Sequence, residues 1–318
     1  MNILFIDTVH PLLWEMLLKD GHQCTDGSGW TESMIHVRIP DFDGVVIRSR
    51  IQIGKDLLDG ANQLKFIARA GAGMESIDVN YATKKGIVCL NSPEGNRDAV
   101  GEHALGMLLM LFNNLNRADH QVRAGNWIRE KNRGIELQGK TVGLIGYGNM
   151  GSAFASKLSG MDCRVIVYDK YRKNFSDKHV HEEGMEELFR ETDVLSLHVP
   201  LTEETTFLVN DEFISKFFRD IFIINTARGK CIRTADLVKN MKSGKVQGAC
   251  LDVIEYEDTS FEKFSPGNTS VQENPDWQYL IHSEKVVLSP HIAGWTFESH
   301  EKISRVLYEK IAALNKKL

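Results

Sequence analysis

Cysteine is sparse and poorly placed for crosslinking: five residues, at positions 24, 89, 163, 231 and 250, are odd in number, widely spaced and never form Cys-x-x-Cys. That pattern argues against a disulfide framework and a zinc site, so no metal is expected and reduced thiols are the simpler reading. Long apolar runs are missing too. The longest, Ala104 to Phe112, is far shorter than the ~20 residues that span a bilayer. The opening MNILFID has no cationic segment ahead of its apolar residues, so a cytoplasmic protein without a membrane partner is expected. Positive charge is not in excess either. Lysines and arginines number 38 against 43 aspartates and glutamates, a net charge of −5, so no nucleic acid partner is expected, and Lys316-Lys317 reads as a solvated helix end. No internal repeat is visible. What remains is ordinary globular composition, 42% hydrophobic and 25% charged, in a chain long enough for two domains.

The sequence is organised around GKTVGLIGYGNMGSAFASKLSGMDCRVIVYDK, Gly139 to Lys170. Val142 to Ile145 is a short apolar run, Gly146-Tyr147-Gly148-Asn149-Met150-Gly151 has the Gly-x-Gly-x-x-Gly spacing, and Asp169 closes the β-branched run Val165 to Val167. The order predicts strand, turn, helix and strand. In that setting Gly146 permits the tight turn, Gly148 lets backbone approach a pyrophosphate, and Gly151 lets the helix pack on the strand. The amides of Asn149 and Met150 then face the anion. Asp169 is suited to a ribose diol and repels a 2′-phosphate, so NAD is the expected cofactor, with Lys170 and Arg172 the nearby cations that oppose this preference.

Upstream, Met1 to Asp7, Val45 to Arg48 and Phe66 to Ala70 read as strands, with Leu12 to Leu18 and Leu57 to Ala61 as helices between them. Two features lie at the carboxyl ends of those strands, where open α/β sheets take ligands: Arg48-Ser49-Arg50, and Arg69-Ala70-Gly71-Ala72-Gly73. Asn91 to Asp98, with Pro93 and Gly95, reads as the crossover into a second domain. Asp98 to Leu115 is predicted as a helix with apolar residues on every face, suited to an interdomain, subunit or core position. Further strands are expected at Val194 to Leu197, Ile221 to Ile224, Gly248 to Val253 and Val286 to Leu288. The polar stretch between Glu257 and Lys285 reads as a long surface loop, and His300 to Leu314 as an amphipathic terminal helix. The expected fold is α/β in two domains. One is a Rossmann-type parallel-sheet NAD-binding domain, 98–291; the other is a smaller flavodoxin-like α/β substrate domain, 1–97 plus 292–318.

Three polar residues stand just beyond the later strands: Arg228 after IFIINTA, Glu257 after ACLDVIEY and His291 after VVLSP. Together they read as an acid–base set. Hydride transfer between a secondary alcohol and nicotinamide needs a group that takes the hydroxyl proton, and an imidazole titrates in the right range. A carboxylate beside the ring favours imidazolium, which suits Glu257, and a guanidinium gives a planar fork for a substrate carboxylate, which suits Arg228.

With these residues in view, the chain resembles the D-isomer-specific 2-hydroxyacid dehydrogenases over essentially its whole length. The blocks are GYGNMG with Asp169, HVPLTEET (His198 to Thr205), NTARGK (Asn225 to Lys230), LDVIEYE (Leu251 to Glu257) and SPHIAG (Ser289 to Gly294). The resemblance implies Arg228, Glu257 and His291 as catalytic and Asp252 near the nicotinamide amide. It also implies His198, Pro200, Thr205, Thr226, Ala227 and Gly294 around the cofactor, the amides of Ala72 and Gly73 on the substrate carboxylate, and a homodimer. VIRSR (Val46 to Arg50), RAGAGMESID (Arg69 to Asp78), NSPEGN (Asn91 to Asn96) and GNWIREKNRGIELQGKTVGLIG (Gly125 to Gly146) are similar to the branch acting on 3-phosphoglycerate and 3-phosphohydroxypyruvate in serine biosynthesis. There Arg48 and Arg69 are candidates for the phosphate. Alternatives within the resemblance are a glycerate/hydroxypyruvate, glyoxylate or lactate dehydrogenase, and an NADH-sensing binding protein of corepressor type. Two departures stand out: Asp258 follows Glu257 where the family usually has proline, and the stretch to Lys285 is longer than usual. No regulatory small-molecule-binding domain follows the terminal helix, so feedback through one is not expected.

Overall fold

A computed structural model describes residues 1–257 and 269–316. They form two compact units, 1–97 with the C-terminal segment from Trp295, and the intervening chain from Asp98 to Gly294. The return into the first unit falls after Gly294, where the sequence placed it after 291.

The smaller unit is built on β1 (Asn2–Phe5), β2 (Gln23–Asp26), β3 (Gly44–Ile47), β4 (Phe66–Arg69) and β5 (Val88–Leu90). All neighbouring pairs among the described residues are parallel, in the order β2-β1-β3-β4-β5, which is the flavodoxin-like order. Successive residues of a strand point to opposite faces, and here both faces are apolar. Leu4, Val45, Ile47 and Ile67 enter one core, while Ile3, Phe5, Val46 and Phe66 enter the other with Leu13, Leu17, Ile303, Leu307 and Ile311. The last three lie on the terminal helix Phe297–Asn315, which starts at a capping box of Thr296 and Ser299. Burying each of these side chains contributes about 1.5–3 kcal/mol.

The larger unit holds β6 (Thr141–Ile145), β7 (Arg164–Tyr168), β8 (Val180–Glu182), β9 (Val194–Leu197), β10 (Ile221–Asn225), β11 (Val246–Leu251) and β12 (Val286–Leu288). Among the described residues they form one parallel sheet in the order β12-β11-β10-β9-β6-β7-β8. The order reverses between β6 and β9, and ligands of open α/β sheets bind beyond the strand ends at such a reversal.

Three expectations need correction. The strands β2, β5 and β8 were not foreseen; each is a sheet edge of mixed burial (QCTD, VCL and VHE), without the buried apolar run that marks a central strand. The expected crossover Asn91 to Asp98 is largely helix: one helix runs Pro93–Phe112, and the chain passes from one unit to the other within it. Proline is tolerated in a first turn because its missing N–H would have no partner there, and Gly95 lets the backbone of Ile303 approach. The polar stretch after Glu257 is not all loop either. Residues 258–268 lie outside the described residues, but Pro275–His282 is a helix, with Asn274 accepting from the amides of Asp276 and Trp277 and Leu280 buried.

Candidate active site

β6 delivers Gly146 to the switch point. Its φ of 96° lies in the left-handed region, and a Cβ there would fall 2.4 Å from the His198 carbonyl oxygen, so only glycine fits. A Cβ on Gly151 would fall 2.1 Å from the Gly146 carbonyl oxygen, so helix Asn149–Leu158 packs against the turn only because that residue is glycine. By contrast, a Cβ on Gly148 would meet nothing within 4 Å. The helix therefore starts beside open space with no side-chain cap on its first amides, as a pyrophosphate-binding turn requires. These residues fit the diphosphate of a dinucleotide.

Asp169, one residue past β7, accepts hydrogen bonds from the amides of Tyr147 at 2.6 Å, Tyr171 at 2.8 Å and Arg172 at 2.7 Å. Burial raises its pKa, but those amides outweigh it and hold the carboxyl below the usual range. Of the two cations beside it, Lys170 is paired with Glu204 at 2.5 Å, and Arg172 donates to the Tyr147 carbonyl and lies 5.4 Å over its ring. Beyond β9, half-buried His198 meets the Ser196 hydroxyl at 2.9 Å through Nε2, while its Nδ1 is buried without a partner among the described residues. Burial pushes its pKa down, so it is a neutral ring. Thr205 donates to the Pro200 carbonyl at 2.7 Å and accepts from the Thr202 amide, which fixes the turn after His198. Thr226 and Ala227 are buried after β10, and the Thr226 hydroxyl has no partner among the described residues.

β10, β11 and β12 are adjacent, so Arg228, Glu257 and His291 follow three neighbouring strand ends. His291 Nδ1 lies 2.7 Å from Glu257 Oε2, and the other carboxylate oxygen accepts from the Ile254 amide. Glu255, two residues earlier, instead accepts from the Thr234 amide at 2.8 Å. Because Nδ1 faces a carboxylate, it carries the hydrogen in the neutral ring. Arg228 donates through Nη1 to the Ala227 carbonyl at 2.6 Å.

Three residues not singled out from the sequence hold this arrangement. Gly229 is one: its Cβ would fall 1.9 Å from the Ile254 carbonyl oxygen, so the turns bearing Arg228 and Glu257 touch there. His103 and Ser289 are the others. The Ser289 hydroxyl donates to Asp252 at 2.6 Å, and His103 Nε2 lies 2.9 Å from that hydroxyl. Asp252 also accepts from the amides of Ile292 and Ala293, each at 2.9 Å, and its carbonyl accepts from the His291 amide at 2.7 Å. Burial raises the pKa of Asp252, yet the bonds from His103, Ser289 and those amides hold it below the usual range. The carboxylate so clamped supports a non-glycine residue in the left-handed region, His291 at φ 55°, a backbone conformation that costs energy and aims the side chain. Gly294 follows as the last residue of this unit. The glycine at 229, next to the candidate arginine, was the one legible signal for these three.

On the smaller unit the two arginines differ. A Cβ on Gly71 would fall 1.6 Å from Arg69 Nη1, so Arg69 is folded against its own turn. Arg48 has its guanidinium carbon 4.3 Å over the ring of Trp295. The amides of Ala72 and Gly73 make no hydrogen bond among the described residues, and both residues are half-buried.

A doubly wound parallel sheet of this order, with a glycine turn at its reversal and a histidine–carboxylate pair beyond neighbouring strands, defines a dinucleotide-binding α/β protein with acid–base capacity. Comparison with known proteins narrows this. Residues 105–293 match the model of the D-isomer specific 2-hydroxyacid dehydrogenase, NAD binding domain. A D-3-phosphoglycerate dehydrogenase of Archaeoglobus fulgidus is 31% identical over 100% of this chain, which spans 58% of that relative's length. A hydroxypyruvate reductase of Thermotoga maritima is 37% identical over 86% of this chain and 85% of the relative. Among solved structures, a D-lactate dehydrogenase from Aquifex aeolicus complexed with NAD and lactic acid superposes with a TM-score of 0.83 at 28% identity, covering 100% of this chain and 96% of that one. The chain belongs to the D-isomer-specific 2-hydroxyacid dehydrogenase family, and its larger unit is that family's NAD-binding domain.

Proposed function

We propose that the protein is an NAD-dependent dehydrogenase that interconverts a D-2-hydroxy acid and its 2-keto acid, with 3-phosphoglycerate and 3-phosphohydroxypyruvate as the pair. The observation that carries the chemistry is the 2.7 Å contact of His291 with Glu257 beyond the NAD-binding sheet. Bound NAD supplies the hydride acceptor for the hydrogen on C2. His291 Nε2 takes the hydroxyl proton as the C2–O bond becomes a carbonyl, and returns it in the reverse direction. Glu257 stabilises the imidazolium that forms, and Arg228 holds the substrate carboxylate. On this reading Asp169 binds the adenosine ribose, and Pro200, Thr205, Thr226, Ala227 and Gly294 line the cofactor.

The substrate reading is supported by Arg48, whose guanidinium makes no hydrogen bond or ion pair among the described residues, and by the amides of Ala72 and Gly73, suited to a carboxylate. Arg69 stands second for the phosphate. A second reading, reduction of hydroxypyruvate, is favoured by the 37% identity to a hydroxypyruvate reductase. The resemblance extends the first reading to a cytoplasmic homodimer in serine biosynthesis. The test is a panel of 2-keto acids followed by NADH absorbance. Phosphohydroxypyruvate is expected to have the highest kcat/KM; preference for hydroxypyruvate moves the second reading ahead, and no turnover of any member favours an NADH-binding sensor.

A further inference from the structure

Beyond the chemistry of the larger unit, the smaller one carries a cluster of nitrogen-bearing side chains, His10, Arg48 and His300, that make no ion pair among the described residues. His10 follows β1 and Arg48 follows β3, the two strands between which a sheet of this order reverses. Asp7 organises the approach: it accepts from the amides of Arg48 at 2.6 Å and Arg50 at 3.4 Å, and pairs with Arg50 Nε at 3.3 Å. Arg50 is then consumed structurally, since its guanidinium also donates to the carbonyls of Ile6, Gly27 and Trp30. Arg48 keeps its in-plane N–H groups free of partners among the described residues, and Trp295 covers one face of the guanidinium.

Trp295 is itself 57% exposed. Its other neighbour is His300, stacked at 5.8 Å with 30° between the rings, and His300 meets His10 edge-on at 5.6 Å and 85°. His300 Nε2 is buried without a partner among the described residues. Burial first, then the charges of Arg48 and His10, hold its pKa below the ordinary value. His10 Nδ1 accepts from the Leu12 amide at 3.3 Å, which leaves the hydrogen on Nε2. An arginine fork and an imidazole on one indole, with a second imidazole edge-on to the first and no carboxylate acting on His300 among the described residues, form a set of donors that an anion would complete. An indole under a guanidinium fixes its plane and keeps water off one face while leaving every N–H donor available.

We infer that Trp295 is a specificity-determining residue: it is the platform that holds Arg48, with His300 and His10 beside it, for a phosphate group carried by the substrate. This rests on the reading of Arg48 as the phosphate partner, and adds a residue that makes that arginine effective. The first experiment uses inorganic phosphate as probe and the full chain as wild type, Trp295→Phe, Trp295→Ala and His300→Asn, by titration calorimetry at neutral pH. Wild type and Trp295→Phe are expected to bind phosphate equally, and Trp295→Ala and His300→Asn about 10-fold more weakly. The second compares kcat/KM for phosphohydroxypyruvate and hydroxypyruvate: Trp295→Ala is expected to lose about 10-fold on the first, through KM, and to stay within about twofold on the second. Absence of phosphate binding by wild type, or unweakened binding by Trp295→Ala, overturns the inference. Wild-type preference for hydroxypyruvate with phosphate binding intact and Trp295-dependent overturns only the substrate reading.

Discussion

At the scale of single residues, the chemistry turns on how firmly a few side chains are aimed. His291→Ala and Arg228→Ala are expected to leave NADH affinity within about twofold and to lower kcat by about 10²–10⁴-fold, because on the proposed reading both act on the substrate. Stopped-flow NADH binding beside steady-state turnover checks this; unchanged turnover removes the assignment. Glu257→Gln is expected to cost less, about 10-fold in kcat, since it removes the carboxylate that orients the ring from 2.7 Å. Undiminished turnover would point to another carboxylate: Glu255 is engaged by the Thr234 amide, and Asp258 lies outside the described residues. Gly229 is the sharpest steric case. A methyl there meets the Ile254 carbonyl oxygen at 1.9 Å, so Gly229→Ala is expected to displace the Arg228 turn and lower kcat/KM about 100-fold, the cost of roughly 1 Å of misplacement. Retained NADH affinity in that variant separates misplacement from unfolding.

At the scale of elements, the β6 turn, the helix after it and the end of β7 act as one unit. On the proposed reading Asp169 binds the adenosine ribose, and it accepts from the Tyr147 amide inside the glycine turn. Asp169→Ala is therefore expected to weaken NADH by about 10-fold or more, since charge-assisted hydrogen bonds contribute about 1.5–3 kcal/mol each, and to improve NADPH relative to NADH. Parallel titrations of the two reduced cofactors by fluorescence measure the ratio, and a wild type that already prefers NADPH would show that Arg172 overrides the carboxylate. The helix Pro275–His282 supplies a separate test of element-level reasoning. Its Asn274 cap takes two amides, so Asn274→Ala is expected to cost about 1 kcal/mol in urea unfolding with turnover little changed.

At the scale of the whole molecule, buried titratable groups set the acid limit. His198 has a lowered pKa in the fold and an ordinary one near 6.5 when unfolded. The unfolded chain thus binds the extra proton first. The stability this ring contributes is fully present above about pH 6.5 and is lost as pH falls below it, by up to ~1.4 kcal/mol per pH unit. Asp252, with its pKa held down, contributes in the same sense but only as pH falls below about 3.8. Urea unfolding at pH 7, 6 and 5 is expected to show a decline that His198→Gln flattens; equal slopes in both proteins would mean that the ring is protonated in the fold.

The larger part of this fold was legible in the residues because its central strands are apolar on both faces. β3, β9 and β10 are buried throughout, with runs such as GVVI and IFIIN, and glycine spacing marks the β6 turn without reference to anything distant. The family membership rests on the same local blocks. The edge strands β2, β5 and β8 were not legible, because their short sequences QCTD, VCL and VHE carry no clear burial signal, whereas the edge strand β12 was legible from its apolar VVL. Nor was the helix through Pro93, since a proline and a glycine signal a break by local rules, while the packing of Gly95 against Ile303 depends on a segment some two hundred residues away. For the candidate site, Arg228, Glu257 and His291 could be nominated from strand ends. Only the tertiary structure puts His291 Nδ1 against Glu257, engages Glu255 with the Thr234 amide, clamps the His291 turn through Asp252 and Ser289, and lays Arg48 on Trp295. The physical reason is common to all four: residue type and local spacing determine what a side chain can do, whereas which groups stand within hydrogen-bond reach depends on where separate strand ends are brought by a sheet assembled from distant segments.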